Sequence, residues 1–195
     1  MLIDSLLIIC AYLLGSISGA IIVCKLGGLP DPRTQGSGNP GATNILRQSG
    51  NKKAALITLF VDIFKGIIAV LVAKIFTIDT MVLAGVTLAV FVGHLYPIFF
   101  QFRGGKGVAT AFGAFVMLAW QVGLAALATW LIMATLFRYS SLAAISTAIL
   151  IPAYMFWFTG VGEYIIMSFI VTALLIWRHR SNIHNLLAGI EKKIG

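Results

Sequence analysis

The sequence predicts an all-α integral membrane protein, a single domain built as a bundle of about seven transmembrane helices. Of its 195 residues, 59% are hydrophobic and only 10% are charged, against roughly 25% charged residues in an average soluble domain. The apolar residues form successive runs near the length of about 20 residues that a helix needs to cross a bilayer. The net charge of +8 is concentrated in the short segments between these runs, which indicates their orientation in the membrane.

The first span is expected over residues 2–23, followed by a basic segment on the cytoplasmic side. From Lys25 to Lys53 the chain carries five basic residues against one acid, Asp31. The positive-inside rule therefore places this segment in the cytoplasm and the N-terminus outside. A retained first span is expected instead of a cleaved signal, because the N-terminus lacks a basic leader and carries Asp4.

The second and third spans are expected over residues 54–76 and 81–100. The second span carries Asp62 and Lys65, which share one helix face because residues three apart are neighbours on a helix. Charges at membrane depth are costly unless they pair, so we predict a structural ion pair that faces the bundle. The third span ends near Pro97, since proline cannot continue a helix.

The apolar run over residues 108–137 has two interpretations. As one helix it would be about 45 Å long, against a hydrocarbon core of about 30 Å. Two short spans place Arg138 in the cytoplasm and leave the base-free loop at Glu163 outside. One tilted helix, the alternative, would give six spans and put Arg138 outside. The seven predicted spans, with the N-terminus outside and the C-terminus cytoplasmic, are 2–23, 54–76, 81–100, 108–119, 123–137, 142–158 and 164–177.

The first of three polar clusters covers residues 36–47. Three glycines within six positions allow a ligand to approach the backbone closely. Converging N–H groups and the planar fork of an arginine suit an anion such as phosphate. A flexible glycine-rich connector is the alternative interpretation. The polar side chains of the cluster supply hydrogen-bond donors without one carboxylate, and they are Ser37, Asn39, Thr43, Asn44 and Arg47.

The second cluster, residues 102–110, places Arg103 and Lys106 among three glycines. It differs from a nucleotide P-loop, which requires Gly-x4-Gly-Lys-Ser/Thr after a strand. The position of the first required glycine holds Phe100, and Lys106 is followed by Gly107. Nucleotide binding is therefore not expected.

The third cluster is the basic tail, residues 178–191. Such a tail is by default an orientation signal that touches anionic lipid, yet all three clusters fall on the predicted cytoplasmic side. Only two carboxylates share that side, Asp31 and Glu191. Phosphotransfer that depends on magnesium usually binds its metal through carboxylates. The clusters therefore predict a phosphate site without a metal.

Three stretches of the sequence resemble the signatures of the bacterial acyl-phosphate:glycerol-3-phosphate acyltransferase family, the PlsY family. The first is Gly-Ser-Gly-Asn-Pro-Gly-Ala-Thr-Asn-x-x-Arg over 36–47. The second is Gly-His-x-x-Pro-x-Phe-x-x-Phe-x-Gly-Gly-Lys-Gly-Val-Ala-Thr over 93–110. The third is the tail Arg-His-Arg-Ser-Asn-Ile-His-Asn-Leu-Leu-Ala-Gly-Ile-Glu over 178–191. The resemblance extends to the order of the motifs, the length of the chain and its hydropathy.

The resemblance implies a seven-helix enzyme of the bacterial inner membrane with its active site facing the cytoplasm. Such an enzyme moves a fatty acyl group from acyl phosphate to the 1-hydroxyl of sn-glycerol 3-phosphate, which yields lysophosphatidic acid and phosphate. It works without a cofactor, and the phosphate of the donor acts as the base. Its expected partners are the two substrates and membrane lipid, and it is expected to function as a monomer.

The resemblance also implies the site residues. The residues implied as catalytic are Ser37, Asn39, Arg47, Lys106, His179 and Asn182. Those implied as substrate-binding are Gly38, Gly41, Thr43, Asn44, His94, Gly104, Gly105, Gly107, Arg178 and Arg180. Of the last two, either could be the basic residue of the tail signature. If the last helix continues past Trp177, His179 and Asn182 would lie on one face of it.

Three other function classes fit the sequence less well. A transporter for an organic phosphate should hold its charges near the midplane within inverted repeats, but no repeat is visible here. An alcohol phosphatidyltransferase would need clustered aspartates for metal, which the sequence lacks. No known nucleic-acid module accompanies the basic residues, so nucleic acid is not an expected partner.

Overall fold

The structure is a computed structural model that describes residues 1–194. The described residues form ten α-helices and no strand, which confirms the predicted all-α class. They are α1 (Leu2–Gly15), α2 (Gly19–Leu26), α3 (Ala42–Ser49), α4 (Lys52–Phe76), α5 (Thr80–Leu95), α6 (Val108–Leu118), α7 (Trp120–Phe137), α8 (Ser140–Thr159), α9 (Gly162–Arg178) and α10 (Arg180–Leu187). A short 3₁₀ turn, Ile98–Phe100, follows α5. The chain divides into two compact units, Met1–Leu118 and the part from Ala119 onward.

Four helical segments among the described residues are long and apolar enough to cross a membrane. They are Lys52–Phe76, Thr80–Phe100, Trp120–Phe137 and Ser140–Thr159. Helices α1 and α2 together make a fifth candidate that bends by 42° at a short break. Helix α6 is apolar but has only 11 residues. The count of seven spans and their orientation stay predictions.

The first apolar run is not the single helix expected over residues 2–23. Helix α1 ends at Gly15, and α2 begins at Gly19 after the short stretch that contains Ser16 and Ser18. Ser18 is the N-cap of α2, where its hydroxyl accepts a hydrogen bond from the Ile21 N–H at 3.4 Å. A capping side chain makes a helix start favourable because it satisfies a backbone donor that has no partner within the helix.

Glycines bring the helices of the first unit close together. A side chain at Gly15 of α1 would overlap the carbonyl of Val90 in α5. A side chain at Gly66 of α4 would likewise overlap the carbonyl of Thr110 in α6, and Gly113 lies as closely against Ile63. Such close backbone approach is the usual role of small residues between membrane helices. The packing gathers α4, α5 and α6, which carry the buried polar residues Asp62, Lys65, His94 and Thr110.

Helix α6 ends at Leu118, just before the break predicted for residues 120–123. Ala119 is extended, with φ −149° and ψ 99°, and α7 begins at Trp120. The ammonium of Lys74 donates hydrogen bonds to the carbonyls of Met117 at 2.7 Å and Leu118 at 3.0 Å. Lys74 therefore satisfies carbonyls that the end of α6 leaves without partners.

The second unit packs α8 against both α7 and α9. The hydroxyl groups of Thr129 in α7 and Tyr154 in α8 lie 2.7 Å apart. Between α8 and α9, the Thr172 hydroxyl donates to the Ala148 carbonyl at 2.8 Å. Lipid tails are as apolar as these helices, so the hydrophobic effect does not drive the helices together within a bilayer. Hydrogen bonds of this kind help to join them instead.

Candidate active site

The first glycine-rich loop is shaped from within by Asn44, a buried residue of α3 that is 3% exposed. Its side-chain amide donates to the carbonyls of Pro32 at 2.9 Å and Gln35 at 3.2 Å. Its side-chain oxygen accepts the N–H of Ser37 at 3.1 Å. These three bonds hold the loop in one conformation, so the structure shows Asn44 as a loop-shaping residue, and its contact with substrate stays a prediction.

Asp31 and Arg33 form an ion pair at the start of the same loop. Two nitrogens of the Arg33 guanidinium lie 2.7 to 3.1 Å from the carboxylate oxygens, and a third contacts the carbonyl of Phe100 at 3.4 Å. The Arg33 hydrogen bond holds the pKa of the Asp31 carboxyl below its ordinary value of 3.8, and the charge of Arg103 acts in the same direction. The only acid of this segment is therefore neutralised by a neighbouring arginine.

The second glycine-rich loop lies directly against His94 and the first loop. The N–H of Gly105 donates to the His94 carbonyl at 3.1 Å. A side chain at Gly105 would overlap the His94 imidazole and lie 3.0 Å from the Pro40 carbonyl. Gly104 faces the His94 carbonyl as closely. The two loops thus meet where the sequence has no side chain, and the backbone forms the surface between them.

Gly107 completes the second loop in a conformation that favours glycine. Its φ is +84°, which is in the left-handed region, and a side chain there would overlap the ring of Phe91. A larger residue is excluded by this backbone conformation, which is strained for any residue with a side chain, and by the contact with Phe91. The chain then turns directly into α6 at Val108.

Each glycine-rich loop leads into the N-terminus of a helix. Gly41 is the N-cap of α3, and Gly107 precedes α6. The first N–H groups of a helix have no partner within the helix and carry partial positive charge. This arrangement, with two helix starts beside converging loops, is one that commonly binds phosphate.

The two basic side chains predicted to bind phosphate belong to these two elements. Arg47 is exposed in the last turn of α3, and Lys106 is half-buried within the second loop. Of the polar residues in the first loop, Ser37 and Thr43 are exposed and Asn39 is half-buried. The loops therefore combine backbone donors with accessible cations and hydroxyl groups, which suits a phosphate monoester.

The tail residues are held differently from the sequence expectation. Helix α9 ends at Arg178, and His179 connects it to α10 with φ −96° and ψ 7°. The condition for placing His179 and Asn182 on one face of a single helix, that the last helix continues through both residues, is therefore not met. His179 is buried, 3% exposed, and its Nδ1 lies 2.8 Å from the Leu175 carbonyl. This contact within the preceding turn fixes the orientation of the imidazole.

Asn182 is joined to the end of the tail by Glu191. The amide of Asn182 donates to Oε1 of Glu191 at 2.8 Å, and the hydroxyl of Ser141 donates to the same oxygen at 2.7 Å. The exposed Arg180 instead lies over the Trp177 ring, 5.0 Å from its centre. The contacts of His179 with Leu175, of Asn182 with Glu191 and of Arg180 with Trp177 thus join residues of the second unit.

Two sets of contacts, one in each unit, were not expected from the sequence. In the first unit the carbonyl and ring of His94 lie against the second loop, and its Nδ1 lies 3.6 Å from Oδ1 of Asp62; its contact with substrate stays a prediction. Glu191 was counted only as a cytoplasmic acid. Asp62 and His94 lie 32 residues apart in the chain, and Ser141 and Glu191 lie 50 apart, so no local spacing indicates these contacts.

Comparison with known proteins gives a consistent family match. The family profile described as glycerol-3-phosphate acyltransferase matches residues 5–189. The chain is 55% identical over 195 residues to the glycerol-3-phosphate acyltransferase of Thioalkalivibrio sulfidiphilus, covering 100% of this chain and 96% of that protein. It is 51% identical over 193 residues to the enzyme of the same name from Methylococcus capsulatus, covering 99% and 97%.

Two solved structures match the fold. The crystal structure of PlsY (YgiH), an integral membrane glycerol 3-phosphate acyltransferase, in its glycerol 3-phosphate form, has a TM-score of 0.93 and 43% identity. The match covers 98% of this chain and 96% of that chain. The lysophosphatidic acid form of PlsY has a TM-score of 0.90 and 41% identity, covering 98% and 95%.

Proposed function

The chain belongs to the glycerol-3-phosphate acyltransferase family, and from that premise we propose that it acylates sn-glycerol 3-phosphate at its 1-hydroxyl with acyl phosphate as the donor. The products are lysophosphatidic acid and inorganic phosphate. The observation that carries this proposal is the meeting of two glycine-rich basic loops at Pro40 and Gly105. Both substrates present a phosphate, and the loops present backbone donors and cations.

Phosphate recognition is assigned to the two loops. Arg47 and Lys106 neutralise phosphate charge, while Ser37, Asn39 and Thr43 supply hydrogen bonds to substrate oxygens. Glycines 38, 41, 104, 105 and 107 let the phosphate approach the peptide N–H groups. By the tail motif, His179 contacts phosphate or acceptor and Asn182 orients a substrate, with Arg178 or Arg180 as a further cation.

The reaction needs positioning and charge neutralisation more than an added acid or base. The oxygen of the acceptor 1-hydroxyl attacks the acyl carbonyl carbon, and the bond between that carbon and the phosphate oxygen breaks. The hydroxyl proton passes to the departing phosphate, so no protein base is required. Fixed donors aimed at developing negative charge, together with held reactants, supply the rate enhancement.

The membrane setting supplies the rest of the proposal. The apolar faces of the helices expose large hydrophobic side chains to lipid, which suits a donor whose alkyl chain stays in the bilayer. We place the enzyme in the inner membrane with its active site on the cytoplasmic side, in accordance with the basic loops. We expect it to act as a monomer.

The test is an acyltransferase assay with the purified protein in detergent or liposomes. Glycerol 3-phosphate and acyl phosphate, with chelator and without nucleotide, should yield lysophosphatidic acid and phosphate in equal amounts. Parallel reactions receive acyl-coenzyme A or acyl-carrier protein as donor and should give no product. Turnover only with one of these thioesters would overturn the assignment of the donor, and no turnover with any donor would overturn the proposed function.

A further inference from the structure

We propose that Asp62 is a positioning residue for this reaction, which acts through His94 to hold the second glycine-rich loop in its phosphate-binding conformation. The proposal rests on the proposed function, because the loop is assigned there to phosphate. Asp62 and Lys65 were predicted only as a structural ion pair. The structure shows that this pair is one end of a buried chain of contacts that leads to Gly105.

The first link is the ion pair itself. Oδ1 of Asp62 lies 3.0 Å from Nζ of Lys65, and both residues are 3% exposed. The same ammonium donates to the carbonyls of Gly15 at 3.0 Å and Ile17 at 2.8 Å. Lys65 therefore anchors the ion pair at the break between α1 and α2, which fixes the position of the Asp62 carboxylate.

The second link joins Asp62 to the imidazole of His94. Nδ1 of His94 lies 3.6 Å from Oδ1 of Asp62 and 3.2 Å from the hydroxyl oxygen of Thr110. At 3.6 Å this carboxylate oxygen is beyond hydrogen-bond range of Nδ1, so the contact is electrostatic, and the Thr110 hydroxyl is the hydrogen-bond partner of Nδ1. The negative charge of Asp62 favours the tautomer that carries the proton on Nδ1, because that tautomer places a positively polarised N–H beside the carboxylate.

The third link joins His94 to the loop at two points. The His94 carbonyl accepts the N–H of Gly105, and the Nε2 side of the ring lies where a side chain of Gly105 would be. His94 thus contacts the loop with both its main chain and its ring. A change in the ring's tautomer or orientation is transmitted directly to the peptide of Gly105 and to the neighbouring Lys106.

The capping of helix ends by lysine does not by itself explain why an aspartate lies at position 62. Lys74 donates to two carbonyls at the end of α6 without a carboxylate beside it, but its side chain is exposed, whereas the buried Lys65 needs a counter-ion. A buried ion pair also adds little stability compared with apolar side chains of similar volume. The feature that distinguishes Asp62 is its place beside His94, which points to a task at the loop.

The first experiment compares Asp62→Asn with Lys74→Met in the acyltransferase assay. We expect Asp62→Asn to lower kcat/KM for glycerol 3-phosphate at least tenfold in protein that a melting curve in detergent shows to be folded at the assay temperature. Its melting temperature should also fall, because the substitution removes one partner of a buried ion pair. Lys74→Met, the matched control, should keep kcat/KM within twofold. A loss of less than twofold in Asp62→Asn, or an equal loss in Lys74→Met, would overturn the proposal.

Thr110→Val serves as a milder second variant. It keeps the side-chain volume and removes the hydroxyl that lies beside His94 Nδ1. We expect a loss of threefold to tenfold in kcat/KM and no further loss when it is combined with Asp62→Asn, because both changes act through the same ring. Unchanged turnover in Thr110→Val, or fully additive losses, would contradict action through His94.

A spectroscopic readout separates this inference from the proposed function. The chain has only three histidines, so ¹⁵N-labelled imidazole signals are assigned by single substitutions. In the wild type we expect the His94 ring to carry its proton on Nδ1, and in Asp62→Asn we expect the Nε2–H form to gain population. An unchanged His94 tautomer in Asp62→Asn would refute the positioning role, whether or not the wild-type protein transfers acyl groups.

Discussion

Arg47 and Lys106 provide the most direct test of the hypothesis that the two glycine-rich loops bind phosphate. Replacement of either by glutamine should remove at least about 2 kcal/mol of transition-state stabilisation, on the order of 30-fold in kcat/KM, because each is proposed to make a charged hydrogen bond to substrate phosphate. Steady-state kinetics with both substrates measures the loss. The control is Lys53→Gln, which removes an exposed positive charge at the start of α4. Near-wild-type rates in both variants would rule out phosphate binding by these two side chains.

His179 and Asn182 carry the prediction that extends the site to the tail. His179→Ala and Asn182→Ala should each lower turnover at least about tenfold, roughly 1.4 kcal/mol, while the protein still inserts and folds. The control is His184→Ala, because His184 is exposed on the same short helix. Equal damage from all three substitutions would indicate general disruption of the tail instead.

At the scale of single residues, the sequence shows which chemical groups are present but not which neighbours they bind. Glycines, hydroxyls and cations in the first two motifs predict an anion site, and the structure brings their loops together at Pro40 and Gly105. Asn44 contains the same amide whether it binds a substrate or its own loop, so its bonds to Pro32 and Gln35 could not be anticipated. Only the folded chain decides which acceptor is nearer.

At the scale of elements, the cap on α6 leads to a stability prediction. Lys74→Met removes the donor to two carbonyls at the helix end and should lower the free energy of unfolding by about 1 to 2 kcal/mol, as expected for hydrogen bonds from a charged group. Thermal unfolding in detergent measures the change. Lys25→Met, which replaces an exposed lysine in α2, is the control. An unchanged melting temperature in Lys74→Met would show that the cap contributes nothing.

Helix positions follow from hydropathy, but the breaks at Ser16 to Ser18 and at His179 do not. Long apolar runs form helices close to the expected ranges, because every backbone group in a membrane must be satisfied within the segment. The first break depends on a distant partner, since the ammonium of Lys65 in α4 binds the carbonyls of Gly15 and Ile17. The turn at His179 is instead accompanied by a local contact between its ring and the Leu175 carbonyl. The residue pattern of the sequence marks neither break.

At the scale of the whole molecule, the orientation of the chain is open to direct labelling. Single cysteines replace Ile78, which is 92% exposed between α4 and α5, and Ile190, which is 66% exposed in the tail. The background carries Cys10→Ala and Cys24→Ala. A membrane-impermeant thiol reagent should label position 78 from outside intact cells, and position 190 only after the membrane is opened. The reverse pattern would overturn the predicted orientation.

The number of crossings is a property of the whole chain that hydropathy leaves undetermined. The described residues contain four long apolar segments and a bent pair, with the 11-residue α6 and the 17-residue α9 as shorter helices. A single helix over 108–137 is excluded by the extended Ala119. Length alone cannot show whether a short helix crosses a locally thin bilayer or ends within it.

The surface where the two glycine-rich loops meet is made of peptide groups. Gly104, Gly105 and Gly107 each lie against backbone or ring atoms that leave no room for a side chain. A side chain introduced here would therefore displace the loop, whereas the exposed apolar side chains of the helices have room for exchange. An inhibitor that mimics phosphate and binds these peptide groups would leave the organism few routes to resistance, and natural variation in acyl-chain preference should arise among the apolar side chains instead.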